Sequence, residues 1–293
     1  MWAIFAFFTS IVNSTYYICN QNAKFSPSIF IIYRGFIVAL FALPCLFYYD
    51  IITAWQFYAI AIIQGIITAY NDLTSFKANQ KYGAETVSSI IPINVSFTFI
   101  MWCFLEPLII VKYAQAPIKS LFIILALGGI IYSVSKYRRA KITKEAFIAL
   151  LPVMLLGSTI SIFNKTIMDY AQESLLGLCF WRVFISSIAV GLTHLIIYIN
   201  RGKDLKGLFK LDYLRRSWIF IFIPISMTFR NLAMYYTANP SYVSAIVQTS
   251  LLWVMFFNRY ITFIKFKKRL MQMEKKWAFL MLISIITLVL ATK

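Results

Sequence analysis

The chain is short of acid. Ten Asp and Glu stand against 28 Lys and Arg, and charged residues of all kinds make up 13% of its 293 residues. An ordinary soluble domain is about a quarter charged. Histidine occurs once, as His194, so a histidine-based triad or metal cluster has little to work with. The four cysteines, Cys19, Cys45, Cys103 and Cys179, lie in apolar segments and form no CxxC pair. They read as small buried hydrophobes, not as disulfide or metal partners. GxSxG, HExxH, Walker A and Gly-rich dinucleotide loops are all missing, which argues against an enzyme and against direct drive by ATP. No cofactor or metal is implied. The first apolar run lacks a basic n-region and a small-residue cleavage site, so it reads as a first span and not as a removable signal.

Apolar residues are what the chain has instead. It is 61% hydrophobic and 18% aromatic, with a mean hydropathy of +0.76. A membrane span takes about 20 apolar residues, so this length holds about ten spans with short loops and no soluble domain of any size. The expected fold class is an all-α integral membrane protein, multi-pass, in the cell (inner) membrane. The net charge of +18 sits in short loops between spans. Such loops mark the cytoplasmic face and meet anionic lipid head groups; nucleic acid is not an expected partner.

The spans follow in order. Span 1 runs from about Trp2 to Cys19, with a polar end at Asn13, Ser14, Thr15, Tyr16 and Asn20. Such groups face protein or a wet cavity, not lipid. Span 2, Pro27 to Tyr49, carries Arg34. Span 3, about Trp55 to Lys77, holds Gln64, Gly65, Asn71 and Asp72. Span 4, about Glu85 to Leu105, is interrupted by Pro92 near Asn94 and closes at Glu106-Pro107; span 5 is Ile118 to Val134. A basic run, Lys136 to Lys144, divides the chain. Span 6, about Ala146 to Phe163, has Pro152, Gly157 and Ser161, and Asn164 follows it. Span 7, Ser174 to Tyr198, carries Arg182 and His194. A basic loop, Asn200 to Arg216, leads to span 8, about Trp218 to Tyr236, with Pro224, Arg230 and Asn231. Span 9, about Pro240 to Tyr260, holds Gln248, and span 10 ends near the C-terminus.

An internal repeat organises these spans. ANQKYGAETVSSII in the first half is similar to AMYYTANPSYVSAIV in the second, and the arginine spans match as YRGF and WRVF. Five spans is an odd number, so the second half sits upside down relative to the first, as in secondary carriers built from inverted repeats. The expected halves are residues 1–139 and 140–293.

On these residues the sequence resembles the drug/metabolite transporter superfamily, specifically its ten-span EamA-type carriers. The resemblance covers nearly the whole chain. It rests on YRGF and WRVF, on the small-residue turns entering spans 4 and 9, and on Glu106 in FLEP closing span 4. Span 9 departs from the pattern, ending in FFNRYITF without an acid. The resemblance implies two bundled five-helix halves and alternating access to a central cavity, and it names no substrate. The expectation is a secondary carrier for a small polar or anionic organic metabolite, with a coupling ion or exchange substrate as a further partner. The alternatives are a channel and a lipid-handling membrane protein without carrier activity.

Charge and resemblance disagree on orientation. Loops of one parity hold about twenty of the 28 Lys and Arg. The positive-inside rule then puts both termini outside, whereas related ten-span carriers have them in the cytoplasm.

Depth selects the polar residues of interest. Arg34 and Asp72 lie at similar distance from the basic-loop face and are expected to pair, as a structural lock or a coupling pair. Arg182 and Arg230 lie in from the opposite face with no acid inside spans 6 to 10. Only Asp169 and Glu173 in the nearby loop are placed to reach one of them. Together the two arginines make a positive pocket for a carboxylate-bearing substrate; the alternative for Arg182 is that it caps backbone carbonyls or bonds a neighbouring helix. Asn13, Tyr16, Asn94, Asn164, Asn231 and Gln248 complete the substrate-binding set, on or just beyond spans that line the central cavity in the family resembled. Interhelical hydrogen bonding is the alternative role for each. His194, alone on an aliphatic span, reads as a snorkelling or satisfied histidine.

Overall fold

A computed structural model describes residues 1–21, 26–82, 91–137, 143–170, 174–202, 208, 210–250, 252–254, 256–257 and 275–292. Several sequence features fall outside them: the 83–90 turn with Glu85, Arg138, Arg139, Lys141, Glu173, most of the 203–209 loop and the basic run after span 9. The described residues are helical, with no strand among them. The helices are α1 (Trp2–Gln21), α2 (Pro27–Leu46), α3 (Trp55–Tyr82), α4 (Asn94–Leu105), α5 (Pro107–Gln115), α6 (Pro117–Tyr137) and α7 (Lys144–Met168). After these come α8 (Leu175–Asn200), α9 (Leu211–Arg216), α10 (Phe222–Tyr235), α11 (Pro240–Val247) and α12 (Lys275–Ala291). Short 3-10 turns at Ile91–Ile93 and Ser217–Ile221 lead into α4 and α10.

Local chemistry sets the ends of these helices. Thr143 caps α7 by accepting from the Ala146 N–H, Ser174 caps α8 through Gly177, and Asn239 caps α11 through Ser241, with Pro240 at the first helical position. Two breaks are X-Pro steps, because the residue before proline is pushed out of the helical region. Glu106 before Pro107 (φ −123°, ψ 75°) and Ala116 before Pro117 (φ −127°, ψ 66°) both show it. At Glu106 the chain turns 101° between α4 and α5.

Among the described residues five helices are long and apolar enough to cross a membrane: Pro27–Pro44, Pro117–Lys136, Lys144–Met168, Leu175–Asn200 and the continuous Leu211–Tyr235. There are six if α4 and α5 form one bent span. The protein is an all-α membrane protein by these criteria. Boundaries differ from the sequence reading in several places: α7 runs to Met168, five residues past Phe163, and α5 fills the expected loop between spans 4 and 5. α2 stops at Leu46, two residues after Pro44. α3 runs five residues past Lys77, since no Gly or Pro interrupts KANQKY. The loop before span 8 is partly helical, as Leu211–Arg216.

Side chains are sorted opposite to a soluble protein. Leu40, Phe104 and Phe279 are 64–79% exposed, and such apolar flanks suit lipid. The interior holds Thr9, Ser10, Ser14, Gln64, Ser158, Ser161, Asn164, Arg182, His194 and Asn231. Helices pack in recurring pairs: α1 on α10, α3 on α7, α2 on α8, α6 on α12, α4 on α7 and α1 on α11. The α2–α8 contact needs glycine. A Cβ on Gly35 would lie 2.5 Å from Gly191 Cα and 2.8 Å from the Ser187 carbonyl oxygen. Gly65 plays the same part where α3 meets α8, with the Ser186 carbonyl oxygen 2.5 Å from a built Cβ. Small residues let membrane helices approach in this way.

Gly35→Ala sets a methyl against backbone that cannot move aside, and a cost of about 1–3 kcal/mol is expected. Gly128→Ala meets open space and is the control. Thermal unfolding in detergent is expected to fall for the first and stay for the second; equal midpoints would contradict the α2–α8 packing.

Candidate functional site

The site begins with Arg182, the eighth residue of α8. It is 2% exposed, and burying a guanidinium is costly unless its N–H groups are satisfied. Its Nε donates to Gln64 Oε1 at 3.1 Å and its Nη1 to Asn231 Oδ1 at 2.6 Å. Both partners are neutral, and no carboxylate pairs with Arg182 among the described residues. Gln64 turns its amide nitrogen the other way, to Asn164 Oδ1 at 2.6 Å and the Ile160 carbonyl at 3.2 Å. Four helices, α3, α7, α8 and α10, are thereby tied at one point. The network is incomplete: Nδ2 of Asn231 faces the weakly accepting Cys179 thiol and has no full hydrogen-bond partner.

Arg230 is half-buried and donates through Nη2 to Ser161 Oγ at 3.0 Å. Ser161 also meets Ser244 Oγ at 3.3 Å, so α7, α10 and α11 join here. Arg230 lies close enough to Arg182 for the two positive charges to repel.

Arg34 sits eight residues into α2 and forms an ion pair with Asp72 of α3. The charge pair also feels His194 of α8. His194 is buried, and its Nε2 lies 2.9 Å from the Ala69 carbonyl oxygen. An acceptor at that nitrogen assigns it the proton.

A narrow cavity lies between Arg34 and Arg182. Arg34 and Gly35 of α2, Gln64 and Thr68 of α3, and Arg182, Ser186 and Ser187 of α8 line its polar side. Val190, Ile223 and Met227 close it. It has room for about one water molecule. The helix period explains the lining. Gln64, Thr68 and Asp72 are spaced four apart on α3, as are Arg182, Ser186, Val190 and His194 on α8, so each set forms one face.

The remaining sequence candidates are dispersed. Asn13 accepts from Ser226 Oγ at 2.5 Å, linking α1 to α10. Asn94 accepts from Ser158 through its backbone carbonyl at 3.0 Å, and its own buried Oδ1 has no partner. Tyr16 packs on an apolar cluster that includes Ile31 and Phe220, and Gln248 is half-buried past the end of α11; neither reaches Arg182. Asp169 lies beside Lys165 and Glu106 instead of beside an arginine, because it caps α7 and turns toward the α4–α5 break. Burial raises its carboxyl above the usual range, Lys165 opposes that, and Glu106 adds to it. Gln64 and Thr68 were not among the sequence candidates. The four-residue spacing from Gln64 through Thr68 to Asp72 was the signal that could have found them.

Comparisons with known proteins bear on the fold alone. No family model matches the chain, and no curated protein sequence matches it. One solved crystal structure of a protein aligns over 99% of this chain and 98% of its own, with a TM-score of 0.69 and 11% identity. At that identity the likeness shows a shared fold and nothing of activity.

Gln64→Leu keeps the bulk of the side chain and removes all three bonds, leaving Arg182, Asn164 and the Ile160 carbonyl each short of a partner. A loss of roughly 1–3 kcal/mol is expected, read as a lower unfolding midpoint. Gln64→Glu gives Arg182 a carboxylate and is expected to hold or raise the midpoint. A Leu variant as stable as the parent would mean that the network does not hold the bundle.

Proposed function

We propose that the protein is a ten-span secondary carrier for a small anionic metabolite, built from two inverted five-helix repeats. One observation carries the substrate class: Arg182 is buried among neutral amides beside a cavity that Arg34 also lines. A buried cation without an acid is completed by an anion. A carboxylate or phosphate takes the remaining guanidinium N–H groups in a fork and offers an acceptor to Nδ2 of Asn231. Arg230 adds positive potential from the neighbouring turn.

The helix pairing supports the repeat. Let α1, α2, α3, α4 and α6 correspond to α7, α8, α9–α10, α11 and α12. The contact of α1 with α10 then becomes that of α7 with α3, and α4 with α7 becomes α11 with α1, and both members of each pair occur. The α2–α8 and α6–α12 contacts map onto themselves. A pseudo-twofold axis relating the proposed halves would permit access from either face in turn. The cavity as it stands is too narrow for a metabolite, so it corresponds to a closed form that opens as one half rocks on the other. The ten-span count takes α1 and α3 as spans whose polar residues face inward, α4–α5 as one bent span, and α11 as the start of the ninth.

Counterflow in liposomes tests this reading. Vesicles are preloaded with unlabelled carboxylates, amino acids or phosphate esters and exchanged against the labelled compound, with neutral and cationic analogues as controls. Saturable exchange of at least one anion is expected. Arg182→Ala should weaken its apparent affinity by about 10–100-fold, and Arg182→Lys should restore only part of it. An unchanged affinity in Arg182→Ala would remove the positive site from the account, and non-saturating flux would point to a channel.

A further inference from the structure

Among the described residues Asp72 is the one acid set deep within a long helix, ten residues from the end of α3. Its neighbours are known from each side. Arg34 approaches from α2 and His194 from α8, with Arg201 beyond His194 at the end of that helix. α7 meets this end of α3 with apolar Leu150, Val153 and Met154 around Ala78. Among the described residues the cation in direct contact with the carboxylate is Arg34, and Arg34 is also a wall of the cavity. Asp72 and an incoming anion compete for the same guanidinium.

The two polar faces make this competition a matter of position. Gln64, Thr68 and Asp72 on α3 run alongside Arg182, Ser186 and His194 on α8, where Gly65 lets the helices touch. Eight residues separate Gln64 from Asp72, roughly 12 Å along the axis. One polar track thus joins Arg182 to the Arg34–Asp72 pair, and the cavity lies along it.

We propose that Asp72 is a proton-coupling site: an anion entering along this track takes Arg34 from Asp72, and the released carboxylate binds a proton from the basic-loop side. The inference rests on the carrier reading above. The step balances. One N–H···O ion pair is exchanged for another, and a carboxylate left without its cation in a low-dielectric site takes up one proton and becomes neutral. When the anion departs, Arg34 recaptures the carboxylate and the proton is released. A monovalent anion then moves with one proton and no net charge. His194 keeps the N–H of Nε2 on the Ala69 carbonyl oxygen, so that proton is not the one transferred.

The test uses the full chain in liposomes containing a trapped fluorescent pH reporter, with potassium and valinomycin holding the membrane potential at zero. Lactate, pyruvate, glutamate and inorganic phosphate are the probes. For any probe that shows counterflow, an inward acid gradient of one pH unit should drive about tenfold accumulation of a monovalent anion, and the lumen should acidify with uptake. In Asp72→Asn the gradient should no longer drive accumulation, and uptake should proceed without acidification. Asp72→Glu keeps an ionisable group and should keep the coupling, which separates loss of the acid from loss of the fold. Parent protein that carries a probe without proton movement overturns the coupling and leaves the carrier reading standing, as does Asp72→Asn with parental acidification. Absence of counterflow with every probe overturns the carrier reading and the coupling with it.

Discussion

A buried guanidinium is the constraint on which the centre of this protein depends. Arg182 is almost fully buried, and no carboxylate pairs with it among the described residues. Leaving its N–H groups unmet would cost more than most single contacts return. The chain meets the demand with amide oxygens from Gln64 on α3 and Asn231 on α10, and Asn164 on α7 then satisfies Gln64. Four helices are fixed by one charge. No carboxylate among the described residues compensates that charge, which lines a cavity, and the proposed anion would do so.

Lipid as solvent explains the rest of the architecture. With apolar surface outside, hydrophobic burial does not decide which face of a helix turns inward. Polar groups and close packing decide it. α2 and α8 meet at Gly35 and Gly191, α3 and α8 at Gly65, and Ser14 of α1 donates to the Ser250 carbonyl. Proline decides where helices stop: Glu106-Pro107 and Ala116-Pro117 make α5 a short segment set at 101° to α4. Such breaks are tolerated where neighbours or a cavity take up the freed backbone groups.

The sequence carried some of this openly. Long apolar runs and capping residues marked the helices, and equal depth from one face marked Arg34 and Asp72, which do form an ion pair. The residues that bond Arg182 were harder. Asn231 could be named because it sits in a polar patch beside Arg230, yet its contact with Arg182 depends on the rotation of α10 about its own axis. Gln64 was visible only as one polar residue in a span, since its partners lie 100 and 118 positions away. Asp169 was expected near an arginine from its loop position; the cap of α7 turns it toward Lys165 and Glu106. Depth along a helix is legible from residue counting, whereas rotation about the helix axis is set by packing partners elsewhere in the chain.

The central claim is that the positive charge at Arg182 selects anions. Equilibrium binding to purified protein tests it most directly, comparing a radiolabelled carboxylic acid with its uncharged primary amide of the same shape. The account predicts saturable binding of the acid and none of the amide, with binding of the acid falling as salt is raised. Equal binding of acid and amide would contradict it.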